Sequence, residues 1–388
     1  MVRKKIAIIG GGVSGCFFAI NLKKQIDCDI TIYEGQNRIL KKLLQTGNGM
    51  CNITNTNIIN NMNVRDYYDN DVEEIINQFD SIALRKYYLD LGLLIKEETE
   101  GRCYPYSKKA SSVCDILLKA IDELKINVIC DTFINSVKKD DNEFVLKSDN
   151  KEYHSNYVVF ASGGKSSVVN KLSSYSILKD LGCNIIPLKP ALVGFRLKEN
   201  TKALSGIRIK CNASLIKDRV IREEKAGELI FKDDGVSGII IMDLSRYYED
   251  GMQLSIDLVP DLSKDEVNKI INDMTKSHTI ADAIYGILPK MLAKEVIKKI
   301  DHNNVANVLK DYRFNILNVY SFDNSHVTKG GLDLKEIDSK TCNLKRDKAI
   351  YVLGELLDVT GKCGGYNLHF AMASAFVASN DLKVKLEK

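Results

Sequence analysis

The first 34 residues constrain the fold more than any other stretch of the chain. Lys5-Ile6-Ala7-Ile8-Ile9 is a short apolar run that reads as a buried strand, and Gly10-Gly11-Gly12-Val13-Ser14-Gly15 follows at once. Residues 16–22 (CFFAINL) have helical spacing, residues 29–33 return as a second strand, and Glu34 ends it. Each part of this strand, Gly-x-Gly-x-x-Gly turn, helix, strand and acid has a physical task. Gly10 permits the tight turn, Gly12 lets the backbone approach a pyrophosphate, and Gly15 lets the helix pack on the strand. The helix start offers free N–H groups and a partial positive charge to phosphates. Glu34, nineteen residues beyond Gly15, stands where a carboxylate binds a ribose hydroxyl. The unit predicts a dinucleotide site. An acid rather than an arginine at position 34 argues against a 2′-phosphate on that ribose, and it does not separate NAD from FAD.

A chain of 388 residues has room for two or three domains. Its 55 Lys and Arg against 51 Asp and Glu leave +4, a weak basis for a nucleic-acid partner. No apolar run reaches the roughly 18–20 residues of a membrane-spanning helix. The apolar part of the basic N-terminus covers only residues 6–9 before three glycines, too short for a signal-peptide core. Ten cysteines without a Cys-x-x-Cys pair do not form a disulfide framework, so reduced thiols and a cytoplasmic setting are expected.

Residues 38–55 (RILKKLLQTGNGMCNITN) form a polar, Gly- and Asn-rich loop. Helical periodicity covers residues 71–91 and 111–124, and residues 101–107 read as extended. Residues 128–130, 133–138 and 143–146 read as short strands, with a hairpin turn at Asp140-Asp141-Asn142. Residues 158–161 are another buried strand, ending in Ser162-Gly163-Gly164, a small-residue turn suited to close approach of a ligand. Residues 193–197, 207–215, 239–244 and 254–258 have β texture. Residues 262–312 are helical and open on a Ser263/Glu266 capping box, and residues 316–322 return to strand. Glycines return from residue 327. The layout predicts a ligand-binding domain split by an insertion rather than two domains in tandem.

Four blocks carry a family resemblance: Gly10 to Gly15 with Glu34, residues 43–55 (LLQTGNGMCNITN), residues 227–246 (GELIFKDDGVSGIIIMDLSR) and residues 327–378 with GELLDVTGKCGGYNLHFA. The chain resembles a family of bacterial FAD-binding oxidoreductases that includes aminoacetone-oxidase-like and bile-acid-reductase-like members, along essentially its whole length. The resemblance implies an α/β fold: a discontinuous glutathione-reductase-like FAD-binding Rossmann domain with an inserted β-rich domain and a small helical subdomain. The segments would be 1–190 and 327–388 for the FAD domain and 191–326 for the insertion, β-rich over 191–260 and 314–326, helical over 261–313. FAD would contact Gly10, Gly12, Val13, Ser14 and Gly15 at the pyrophosphate, then Glu34 and Gly35, Lys42, and Ala161, Ser162 and Gly163 beside the adenine half. Gly47, Asn48, Gly49, Cys51 and Asn52 would border the isoalloxazine. Gly354, Glu355 and Asp358 would serve the ribityl or pyrophosphate side. Gly364, Gly365, Tyr366, Asn367 and Leu368 would begin a last helix whose dipole stabilises negative charge on the N1–O2 edge.

The sequence also departs from that family. Met50 replaces an arginine, Leu40-Lys41-Lys42 replaces a Gly-Arg-Lys triplet, and Lys232 and Ile239 replace a threonine and a proline. A Gly-rich turn after Gly163-Gly164 is missing. Losing an arginine removes a bidentate anion clamp, so substrate handling is expected to differ. With one Gly-x-Gly-x-x-Gly unit and no Cys-x4-Cys pair, the chain has neither a built-in nicotinamide domain nor a disulfide-reductase motif. The expected activity is hydride transfer at flavin N5, from NAD(P)H docking as a substrate to a small organic acceptor such as an enone. The alternatives are oxidation of a small amine by dioxygen and, more remotely, modification of RNA. Neither nucleic acid nor membrane is an expected partner. The catalytic residues and the oligomeric state stay open, as no side chain stands out as acid or base. Tyr104, Tyr106, Tyr366, His326 and His369 are candidates by type only. Cys51 and Cys363 are expected beside the cofactor as buried thiols.

Overall fold

The computed structural model describes residues 3–149, 151–166, 173–301 and 304–388. The chain divides into two units, one comprising Met1–Lys189 with Val327–Lys388 and the other Pro190–His326.

The first unit is built on a five-stranded parallel sheet in the order Ile350–Val352, Tyr157–Phe160, Lys5–Ile9, Asp29–Tyr33 and Asn127–Ile129. Strands buried on both faces are near-continuously apolar, and the runs Ile6 to Ile9 and Val158 to Phe160 lie at 4% exposure or less. Two helices complete this core. The first, Val13–Gln25, is buried along every residue from Ser14 to Leu22. The last, Tyr366–Leu386, packs along it, and its Ala371, Ala375 and Ala378 are buried. Asn21 Nδ2 joins the two helices by donating to Ser379 Oγ at 2.8 Å. Two three-stranded antiparallel sheets and the pair Ile185–Ala191 with Val327–Leu332 add to this unit.

Because the second and third strands in sequence lie on one side of the first and the fourth and fifth on the other, strand order reverses between Lys5–Ile9 and Tyr157–Phe160. In open α/β sheets the crevice at the carboxyl ends of such a strand pair is where ligands bind. The Gly10–Gly15 turn and the Ala161–Gly164 turn leave the sheet at that point.

The second unit is a closed barrel in the order Phe195–Leu197, Gly235–Ser237, Val220–Lys232, Arg208–Lys217, Gln253–Asp257 and Tyr312–Val319. Four helices, Lys264–Met274, Ile280–Ile287, Lys290–Ile297 and Val305–Lys310, precede its last strand. The Ser263/Glu266 capping box is formed, with Ser263 Oγ accepting from Glu266 N at 3.2 Å.

Three readings of local structure are corrected. Residues 239–244 are a helix, Ile239–Leu244, not a strand. An Ile-Ile-Ile-Met run has neither helical nor strand period, and Gly238 (φ 105°) turns the chain so that the run packs across strand Val220–Lys232. Residues 71–91 hold two helices, Glu73–Ile76 and Ser81–Asp90, because Asp80 caps the second by accepting from Ala83 N at 2.8 Å. The strand placed at 133–138 runs from Ser136 to Asp140. Among the described residues no helix is long and apolar enough to cross a membrane, and all ten cysteines are free thiols.

Candidate functional site

The two sheet turns meet closely at the crevice. A Cβ on Gly10 would lie 2.5 Å from Ser162 Cα, so only glycine allows this approach. Gly12 N-caps the first helix without a side-chain cap, and no acid stands in the first turn. The amides of Val13, Ser14 and Gly15 therefore have no intrahelical acceptor, which is an anion-binding arrangement. Ser14 also lies close to Gly354, where a Cβ would come within 3.3 Å of Ser14 Oγ.

Glu34 reaches back over this turn. Its Oε2 accepts the Gly11 amide at 2.8 Å and its Oε1 the Gln36 amide at 2.9 Å. Two backbone N–H bonds fix the carboxylate's orientation and leave lone pairs for hydroxyl donors. Gly35, beside it, is exposed and packs against Phe133. Across the crevice, Ala161 is buried and Ser162 Oγ donates to Ser174 Oγ at 2.8 Å. A Cβ on Gly163 would meet nothing within 4 Å, so that turn has an open side.

The loop Leu43–Gly49 is a kinked 3-10 segment with left-handed backbone at Gly47 and Asn48, followed by left-handed Cys51. Cys51 is fully buried, and burial pushes its thiol up to about 12, the state of an inert neutral thiol. Asn52 Oδ1 is buried and accepts no hydrogen bond in the protein. Gly49 lies at φ 82° in the same loop.

The last helix starts against this loop. Gly365, its N-cap, is left-handed (φ 100°), and a Cβ on it would lie 2.5 Å from the Thr54 carbonyl oxygen and 2.9 Å from Asn52 Oδ1. Asn55 Nδ2 donates to the Gly364 carbonyl at 3.1 Å. Tyr366 is buried and stacks on Tyr67, their ring centroids 4.9 Å apart. Asn367 is spent on the preceding loop, its Oδ1 accepting Gly361 N at 2.8 Å and its Nδ2 donating to Gly361 O at 2.9 Å. Leu368 is half-buried on the core. Asp358 Oδ1 accepts the Gly330 amide at 2.9 Å, and burial followed by the neighbouring Asp69 raises its carboxyl above the usual range. Lys42 and Glu355 pair with each other at 2.6 Å.

The residues named as candidate acids or bases scatter. Tyr106 is 65% exposed, His326 belongs to the second unit, and His369 is fully buried within the last helix. Tyr104 is half-buried near Gly47. The sequence reading missed the segment 67–70, which closes over the loop at 358–362. Asp69 Oδ1 accepts Thr360 N at 2.6 Å, Asn70 Nδ2 donates to the Asp358 carbonyl at 2.6 Å, and Tyr68 Oη to the Tyr366 carbonyl at 3.0 Å. It also missed Thr328. Segment 67–70 carries no glycine pattern or period, and the glycines that follow Thr328 mark its loop without marking its hydroxyl.

An uncapped first turn, a tethered carboxylate nearby and an unsatisfied buried amide oxygen beside a second helix start fit an extended dinucleotide. Fold and site define an α/β dinucleotide-binding enzyme. The chain matches the model of the HI0933-like protein Rossmann domain over residues 4–381, and it belongs to that family. It is an FAD-binding oxidoreductase. It is 30% identical to a 3-dehydro-bile acid delta(4,6)-reductase of Clostridium scindens, across 96% of this chain and 98% of that one. It is 26% identical to a ribosomal RNA dihydrouridine synthase of Escherichia coli, across 98% of both. Among solved structures, a 3-ketosteroid delta1-dehydrogenase of Sterolibacterium denitrificans has the same fold, with TM-score 0.53 at 11% identity over 99% of this chain and all of that one.

Proposed function

We propose that this enzyme reduces a carbon–carbon double bond conjugated to a carbonyl, with NAD(P)H as the hydride donor. The observation that carries the reading is the start of the last helix, where Gly365 stands against Thr54 and Asn52. The partial positive charge of a 21-residue helix is aimed at the loop of residues 47–52, where it favours a group that takes on negative charge. When bound, FAD supplies the redox chemistry by accepting a hydride and passing it on. The protein's part is to hold and orient. The Val13, Ser14 and Gly15 amides are assigned to the pyrophosphate, Glu34 to the ribose hydroxyls, and the 47–52 loop to one side of the ring system.

The names of the two relatives support the acceptor class. A delta(4,6)-reductase acting on a 3-dehydro bile acid and a synthase forming dihydrouridine both saturate a double bond in conjugation with a carbonyl. A small enone is the first reading, in line with the near-neutral charge of the chain. Uridine in RNA is the second, favoured by the full-length similarity to the dihydrouridine synthase. The test is a steady-state assay of NADH and NADPH consumption with a 3-oxo-Δ4 steroid, a simple cyclic enone, a uridine-containing RNA and a small primary amine. Turnover with an enone or with RNA, and none with the amine, is the expected result. Turnover with the amine and dioxygen alone would replace this reading by that of an oxidase.

A further inference from the structure

Glu355 is engaged on both of its carboxylate oxygens. Its Oε2 pairs with Lys42 Nζ at 2.6 Å, and its Oε1 accepts the backbone N–H of Thr328 at 2.8 Å. The hydroxyl of Thr328, which is fully buried, accepts the amides of Lys165 at 2.8 Å and Ser166 at 3.0 Å and touches Ser166 Oγ at 3.0 Å. The packing around these groups is tight. A Cβ on Gly164 would lie 2.4 Å from Thr328 Oγ1 and 2.5 Å from Glu355 Oε1. Tyr175 Oη adds a bond to the Glu355 carbonyl at 3.3 Å.

One carboxylate and one hydroxyl thus join four segments that are far apart in sequence. They are the loop after the second strand, the turn after strand Tyr157–Phe160, the start of strand Val327–Leu332, and the turn Gly354–Leu356. Three of the four carry residues assigned to the cofactor. Family resemblance alone would set Glu355 and Lys42 against FAD. The geometry instead directs both of Glu355's oxygens at other parts of the protein.

We infer that Glu355 is a positioning residue, and that with Lys42 and Thr328 it forms a clamp fixing the spacing of the Gly163-Gly164 and Gly354 turns around FAD. The inference rests on those turns bordering FAD. The Lys42–Glu355 pair is mostly buried, with side chains 29% and 19% exposed, so its hydrogen bond is charge-assisted and little screened. Removing Lys42 leaves a carboxylate that still draws on Thr328 N–H but has lost its counter-charge. Removing the Thr328 hydroxyl frees two amides of the 163–166 turn while leaving the backbone N–H to Glu355 intact. The two changes reach the same turns by different routes, Lys42 through the Glu355 carboxylate and the Thr328 hydroxyl through the amides of Lys165 and Ser166.

The test titrates FAD into protein stripped of it, following flavin fluorescence, with thermal unfolding of the stripped protein measured in parallel. Lys42→Met, Thr328→Val and Glu355→Gln are each expected to raise the dissociation constant about tenfold. The Lys42→Met/Thr328→Val double variant should fall well short of the product of the singles, since both changes loosen one packed cluster in which Glu355 and Thr328 meet, and changes within a cluster are not additive. Lys42→Arg and Thr328→Ser retain the charge and the hydroxyl and should restore binding to within about threefold of the parent. A fold defect would lower the unfolding temperature of the stripped protein and would not be relieved selectively by these two conservative changes. The clamp is overturned if Lys42→Met and Thr328→Val bind FAD like the parent while Glu355→Gln alone weakens it, which would make Glu355 a direct contact. It is also overturned if the two changes multiply independently. A parent protein that takes up no FAD would overturn the cofactor assignment itself, a result distinct from either.

Discussion

Thr54 and His369, both fully buried, are joined by a hydrogen bond of 2.8 Å between Oγ1 and Nδ1. The other ring nitrogen, Nε2, lies 2.9 Å from the Phe79 carbonyl oxygen, which can only accept. Nε2 therefore carries the proton, and Nδ1 accepts from the threonine. A neutral histidine in one fixed tautomer ties the first turn of the last helix to the strand Thr54–Asn55, at the same residue whose carbonyl Gly365 meets.

That bond gives a pH dependence. Burial lowers the His369 pKa from 6.5 to about 4, so between those values the unfolded chain binds a proton that the folded chain refuses. Its contribution to stability is present above pH ~6.5 and is lost as pH falls toward ~4, about 3 kcal/mol across the window. Denaturant unfolding at several pH values should show this loss in the parent, and His369→Asn should be less stable at neutral pH but flatter between pH 4 and 6.5. Parallel pH profiles for the two proteins would contradict the assignment.

Gly365→Ala places a methyl 2.5 Å from the Thr54 carbonyl on a backbone with φ 100°. Either the helix start or the loop must shift. The expected result is a loss of about 1–3 kcal/mol in the stripped protein, with FAD retention falling further because the helix start moves off the 47–52 loop. Differential unfolding with and without FAD measures both parts.

Glu34→Gln keeps the size of the side chain but offers only one acceptor oxygen where two backbone N–H groups, of Gly11 and Gln36, now bind. One amide is left facing an NH2 group. FAD affinity should fall roughly tenfold or more, from the lost charge-assisted bonds and the disturbed turn. Fluorescence titration reads it directly, and an unchanged affinity would show that Glu34 does not meet the ribose.

Leu40 holds a left-handed backbone (φ 61°), is 2% exposed, and donates its N–H to the Gly11 carbonyl at 2.8 Å. The resembled family has glycine here. Leu40→Gly would relieve about 1–2 kcal/mol of backbone strain but remove a core side chain worth about 2–5 kcal/mol. The net prediction is destabilisation by about 1–3 kcal/mol, so that the chain has exchanged strain for packing at this position. A more stable Leu40→Gly protein would reverse that conclusion.

The sequence made the sheet and the first turn of the site readable because each rests on local rules. Ile6 to Ile9 must be a strand before three glycines, and the spacing to Glu34 follows from one helix length. The 43–55 and 354–368 segments were readable only through family resemblance, because their shape depends on contacts with each other: Gly365 with Thr54, Asn55 with Gly364. The parts that escaped are those whose role no local signature specifies. Nothing in Tyr67-Tyr68-Asp69-Asn70 predicts that it closes on residues 358–362, and Thr328 gains its role only from the fold that brings Glu355 and the 163–166 turn to it. Residues 239–244 misled for the opposite reason, a β-rich composition overruled by the turn at Gly238.

The most direct measurement of the proposed function is the anaerobic half-reaction. FAD-loaded protein is reduced with NADH or NADPH, then mixed either with an excess of an α,β-unsaturated ketone under nitrogen or with air-saturated buffer, and the flavin absorbance is followed. Reoxidation by the ketone, faster than by air and yielding one saturated product per flavin, is the predicted result. Rapid reoxidation by air with the ketone recovered unchanged would contradict it.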